Sequence, residues 1–87
     1  MQRMISARTK LLAWAIKEGV AKRGNNEIIV AGEIVTFTFC GNPITIWDQE
    51  TERITQDAHG FATITSTINQ RKNARAIAEY LDTVNLP

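Results

Sequence analysis

Three groups of side chains in this sequence are of types that do chemistry. Cys40 is the only cysteine and His59 the only histidine. A thiol and an imidazole within hydrogen-bond reach make an activated nucleophile. Cys40, however, closes a predicted strand between Phe39 and Gly41, and His59 falls in a predicted loop, and nothing in the spacing joins them. Taken separately, they read as a half-buried thiol and a solvent-facing histidine. The acids Asp48, Glu50, Glu52 and Asp57 form a second group. They lack the glycine-bearing loop with ligands at alternating positions that a calcium site requires, and read as a solvated turn. A zinc site needs more nitrogen and sulfur ligands than the chain supplies at any spacing. With no glycine-rich phosphate loop either, the expectation is no catalytic residue, no metal and no cofactor.

The third group is cationic. Arg71, Lys72 and Arg75 lie close together near the start of the last predicted helix. Free backbone N–H groups and cationic side chains at a helix start suit phosphate, so these three are candidates for binding nucleic acid. Arg8, Lys10 or Lys22 would have to add contacts for useful affinity. Leu11 and Trp14 are candidates of another kind. Trp14 is turned about 160° from Ile16 on the first predicted helix, off its core-facing side. A surface Trp beside a Leu is a common anchor for a protein partner.

The elements that must position these residues are legible from periodicity. Ser6 to Arg23 reads as a helix capped by Ser6, ended by Gly24-Asn25-Asn26, and carrying Lys22 and Arg23 in its last turn. Ile5, Leu12, Ile16 and Val20 form its apolar face. Gly19 inside it costs about 1 kcal/mol relative to Ala, so either it admits a neighbouring backbone or the helix frays there. Residues 27–31 read as a strand, and Gly32 bends or bulges the chain into a second at 33–40. Val35, Phe37 and Phe39 alternate with Thr36 and Thr38, and Ile44 and Ile46 with Thr45 and Trp47, the period of half-buried strands. Gly41-Asn42-Pro43 reverses the chain between them. A weaker strand covers 52–56, and Phe61, Ala62 and Thr63 form a short extended piece. The last helix, 66–82, is capped by Thr65 or Ser66 and presents Gln70, Ala74, Ile77, Ala78, Leu81 and Val84 to the sheet. The expected fold is α+β: an N-terminal helix, a three- to four-stranded antiparallel sheet and a C-terminal helix in one domain spanning 1–87. Its core would hold Val35, Phe37, Phe39, Ile44 or Trp47, Ile77 and Leu81, with Phe37 at the centre.

Composition narrows the function. The chain has 87 residues and a net charge of +1, with 44% hydrophobic residues. No apolar run approaches the roughly 18 residues of a membrane span, and no leader pattern opens the chain. A single cysteine suits a reducing cytoplasm. Near-neutral charge argues against a dedicated nucleic-acid binder. Its distribution argues less strongly, since residues 1–23 hold six of the ten Lys and Arg.

Two stretches resemble known proteins. Arg71-Lys72-Asn73-Ala74-Arg75 is similar to the last helix of double-stranded-RNA-binding domains, whose order is also helix, three strands, helix. The resemblance implies RNA contacts from Arg71, Lys72 and Arg75. The glycine-proline loop of such domains is replaced here by Gly32-Glu33-Ile34. The alternating hairpin followed by Gly60-Phe61-Ala62-Thr63-Ile64-Thr65-Ser66 resembles a pattern in small phage and prophage proteins. That implies an accessory protein of phage origin, in the host cytoplasm, without implying an activity.

The expectation is therefore a small non-enzymatic protein that binds a macromolecule. The first form is a protein partner or a second copy engaged through Leu11 and Trp14. The alternative is nucleic acid engaged through Arg71, Lys72 and Arg75.

Overall fold

The structure, a computed structural model, describes residues 5–56 and 64–84, with side chains from residue 67 onward in the last helix. The chain runs α1 (Ala7–Glu18), β1 (Val20–Arg23), β2 (Asn26–Ala31), β3 (Ile34–Phe39), β4 (Asn42–Asp48), β5 (Arg53–Gln56) and α2 (Ile64–Val84). The strands form one antiparallel meander in the order β1-β2-β3-β4-β5. Both helices pack on the same face of it and on each other. The architecture is α+β as expected, with five strands where three or four were expected. His59 and the piece at 61–63 lie outside the described residues.

The additional strand comes from the end of the predicted first helix. Ser6 does cap α1, its Oγ accepting from the Thr9 N–H at 3.2 Å. The helix stops at Glu18, however, because Gly19 takes φ +94° and donates its N–H to the Ala15 carbonyl at 2.6 Å. Such left-handed closure is the usual work of glycine at a helix end. Val20 to Arg23 then pair with Ile29 to Asn26. Lys22 and Arg23 are consequently neighbours on a strand and point to opposite faces, rather than sharing a helix turn. Gly24 (φ +61°) and Asn25 make the two-residue loop that joins β1 to β2. Gly32-Glu33 does the same between β2 and β3, and Cys40-Gly41 between β3 and β4. Gly32 is thus a hairpin residue, not a bulge, and the reversal before β4 comes one residue earlier than Gly41-Asn42-Pro43.

The core lies between the helices and the sheet. Leu12, Ala15, Ala21, Ile28, Val35, Phe37, Trp47, Ala76 and Ile77 are buried together. Phe37 sits on the central strand at 1% exposure. The pairs Val35–Trp47 and Phe37–Thr45 turn Trp47 and Thr45 toward the helices and leave Ile46 outside. A register shift after Phe37 then pairs Thr38 with Pro43, so that Ile44 is the extra residue and is buried as well. Phe39 is only half-buried, for a reason given below.

α2 is turned relative to expectation. Its inward residues are Asn69, Asn73, Ala76 and Ile77, with Tyr80 packed edge-on against Trp47 at 6.3 Å between ring centroids. Ala78, Leu81 and Val84, assigned to the core, are exposed. The shift is one residue along the helix, about 100° of rotation. It follows from the two asparagines, which face inward because polar partners await them there. α2 also begins at Ile64, upstream of both expected caps.

Candidate anion-binding cleft

A cleft of about 640 Å³ opens where the N-terminal turn of α1, the β1–β2 turn, the end of β3 and the flank of α2 meet. Among the described residues four cations line it: Arg8 from α1, Arg23 from the end of β1, and Lys72 and Arg75 from α2. Phe39 and Leu11 provide apolar surface, and Asn25, Asn26 and Asn69 provide amides. Among the described residues no carboxylate lines the cleft.

Each cation arrives by a specific feature of the chain. Closure of α1 at Gly19 makes β1 a strand, and the Ala21–Ile28 pair faces the helices. Arg23, two residues on, shares that face and ends beside the cleft. The rotation of α2 carries Lys72 and Arg75 toward α1. Arg71 falls about 100° further round from Lys72, outside the cleft lining. Two of the three sequence candidates thus meet in one place and the third does not.

Arg8 is the least ordinary of the four. Its guanidinium is half-buried and donates to the side-chain carbonyl oxygens of Asn73 and Asn69, the latter at 3.0 Å. Neither partner is charged. Burial pulls its pKa below the ordinary arginine value, and it still carries a full charge at any working pH. Behind it a chain of hydrogen bonds crosses the core. The Asn73 Nδ2 donates to Thr45 Oγ1 at 3.0 Å, Thr45 donates to Gln56 Oε1, and Gln56 Nε2 donates to the Gln70 carbonyl at 3.0 Å. Asn73 and Thr45 are 1% and 0% exposed, so this polar ladder is fixed by packing on both sides. No buried side-chain nitrogen or oxygen among the described residues lacks a partner.

Arg75 is partly offset. Its Nε donates to Glu79 Oε2 at 3.2 Å in an exposed i,i+4 pair. The other carboxylate oxygen accepts from the Thr9 hydroxyl and from the Ser6 N–H at 3.3 Å. These bonds, Thr9 first, hold the Glu79 carboxyl down to about 2. Glu79 therefore ties α1 to α2 at the rim of the cleft.

The remaining sequence candidates lie elsewhere. Leu11 packs against the core and also lines the cleft, so its position serves both. Trp14 is 58% exposed, with the Lys17 ammonium 6.0 Å from its ring centre. Lys10 is exposed on α1, and Lys22 points to the open face of the sheet opposite Glu27; neither lines the cleft. Cys40 is exposed in the β3–β4 turn at φ +52°. Asp48 Oδ1 accepts from the Glu50 and Thr51 N–H groups at 3.0 and 3.3 Å, which orders the acidic turn internally. Among the described residues no group of His, Cys, Asp and Glu comes together to hold a metal, and no helix is long and apolar enough to cross a membrane. Arg23 was missed as a site residue because the sequence placed it on a helix. The alternation Ala21, Lys22, Arg23 between two glycines was the signal that would have found it. Comparison with protein-family models, with curated proteins and with solved structures finds no match.

Proposed function

We propose that this protein is a non-enzymatic nucleic-acid-binding module that takes the phosphate backbone into the cleft. The observation that carries the reading is the convergence of Arg8, Arg23, Lys72 and Arg75 from three separate elements on one concavity, with no carboxylate among the described residues of its lining. Like charges brought together repel unless an anion joins them, and a half-buried Arg with neutral partners leaves its charge uncompensated. Arg8, Arg23 and Lys72 form no ion pair with any described residue. Two or three phosphates would complete the arrangement. A net charge of only +1 is no obstacle, because these four cations share one cleft while Asp48, Glu50 and Glu52 sit in the turn at the other end of the sheet.

Titration of labelled nucleic acid, single- and double-stranded together, at low and moderate salt tests this. Three effective cations give a slope of about −2 to −3 in log K against log salt. Lys72→Glu combined with Arg23→Glu should abolish binding at every salt concentration, whereas Arg71→Glu, outside the cleft, should weaken it severalfold at most. Binding that is absent at low salt, or that survives the double reversal, removes the reading.

The exposure of Trp14 favours a second reading, a protein partner or second copy docking on the outer side of α1. Trp14 lies on the exposed side of α1 and Leu11 on the cleft, so the contact would rest on Trp14 and Lys17 rather than on a Leu11–Trp14 pair.

A further inference from the structure

Two features of the cleft have no use in simple phosphate neutralisation. Phe39 is the last residue of β3, on the same face as the buried Val35 and Phe37, and yet it is only half-buried. Its ring is left partly uncovered because the cleft, rather than a helix, lies over it. The second feature is concavity. The cations stand on the walls of a space whose apolar surface is Phe39 and Leu11, and Arg8 is drawn inward by Asn69 and Asn73.

From these we infer that the ligand is single-stranded: one unpaired base enters the cleft against Phe39, while its flanking phosphates are held by Arg23, Lys72 and Arg75 at the rim and by Arg8 within. This rests on the nucleic-acid reading above and narrows it. A duplex presents its phosphates on a convex outer surface and shows only the edges of its bases, in the grooves. Such a surface can touch the rim but cannot bring a phosphate to Arg8 or an aromatic face to Phe39. An unpaired nucleotide can do both. A volume of about 640 Å³ lies within the range of pockets that enclose small organic ligands, and leaves room for one base with its sugar. A basic groove with an aromatic platform is the general solution for strands without a partner, because every base has a π-face and every linkage a charge. Asn25 in the β1–β2 turn and Asn26, the first residue of β2 and the partner of Phe39, line the same cleft, where their amides can meet a base edge. A free nucleotide offers the same chemistry, but it brings its charges on one side of the base, whereas the cations here flank the apolar surface from α1, β1 and α2.

The experiment uses the full chain with a labelled single-stranded 12-mer, the same sequence as a duplex, and an unlabelled mononucleotide as competitor. The single strand should bind at least tenfold tighter than the duplex at moderate salt, with the mononucleotide competing only at millimolar concentration. Phe39→Leu keeps the bulk of the side chain but removes the π-face, and should weaken single-strand binding about tenfold while leaving the salt slope unchanged. Phe39→Tyr should restore it, and circular dichroism of both variants shows that the fold is intact. Duplex bound as tightly as single strand, or Phe39→Leu binding as well as wild type, overturns the inference while the nucleic-acid reading stands. A mononucleotide competing at low micromolar concentration identifies a free nucleotide as the ligand and overturns it too. Absence of binding to every probe removes both.

Discussion

Glu79 shows how much a single side chain can organise in a fold this small. Its two oxygens collect the Ser6 N–H, the Thr9 hydroxyl and the Arg75 Nε, joining the first turn of α1 to α2. Because the folded-state pKa is lowered, to about 2 against an ordinary 4.5, the bonds stabilise the fold above pH 4.5 and are lost as pH falls toward 2. Glu79→Gln should therefore lower the thermal midpoint at pH 7. The gap between variant and wild type should close between about pH 4.5 and 2. A gap that stays constant down to pH 2 would show that the charge on Glu79 is not what holds the helices together. Sequence spacing makes Glu79 no more than an i+4 partner for Arg75, and the rest of this was not legible there. The Thr9 and Ser6 contacts join residues about 70 positions apart, which no local pattern encodes. Asn73 was hidden for a related reason. A polar residue on a helix is assigned outward by default, and only the presence of Arg8 and Thr45 on the inner side makes inward the better-satisfied orientation.

At the scale of elements, the alternating β-branched and aromatic residues of β3 and the stretch beyond it specified the sheet, and Ser6 specified the start of α1. The lost element was β1. A four-residue strand is too short to show a period of its own, and Val20 and Arg23 can extend a helical pattern as readily as a strand. The decisive residues are glycines at both ends, Gly19 at φ +94° closing α1 and Gly24 at φ +61° turning the hairpin. Gly24, Gly32 and Gly41 place a turn every eight or nine residues, the rhythm of a meander. Arg23 reaches the cleft only if Gly24 makes its turn. A Cβ added at Gly24 would meet no atom within 4 Å, so the cost of substitution is that of the backbone alone. Gly24→Ala should lose about 1–2 kcal/mol in chemical denaturation, and Gly24→Asn distinctly less, since Asn tolerates the left-handed region. Equal losses for the two would mean that side-chain crowding, not φ, limits this position.

At the scale of the molecule the meander holds the acidic β4–β5 turn away from the cationic cleft, which leaves Glu79 as the acid at its rim among the described residues. The β1–β2 and β3–β4 turns lie together at one end of the sheet, where the Cys40 N–H donates to the Asn25 carbonyl at 2.8 Å, and the cleft opens there. At the other end the Gln49 N–H donates to the Glu33 carbonyl at 2.9 Å, placing the acidic β4–β5 turn beside the β2–β3 turn. The length of β3 keeps the two ends about 20 Å apart. An acid at that distance opposes a bound phosphate by about 0.2 kcal/mol in water. Glu50 and Glu52 acting on two phosphates would amount to about 0.8 kcal/mol without screening. A Debye length of about 8 Å at physiological salt leaves less than a tenth of this, whereas about 30 Å at 0.01 M leaves roughly half. Glu50→Gln combined with Glu52→Gln, with Asp48 kept to order the turn, should therefore leave affinity for the nucleic acid unchanged at 0.15 M salt. At 0.01 M the same variant should bind about twofold tighter. Fluorescence titration at the two salt concentrations distinguishes this from an acidic turn that reaches the ligand. In that case the double variant would bind severalfold tighter even at 0.15 M, and the bound strand would have to extend along the sheet rather than end at the cleft.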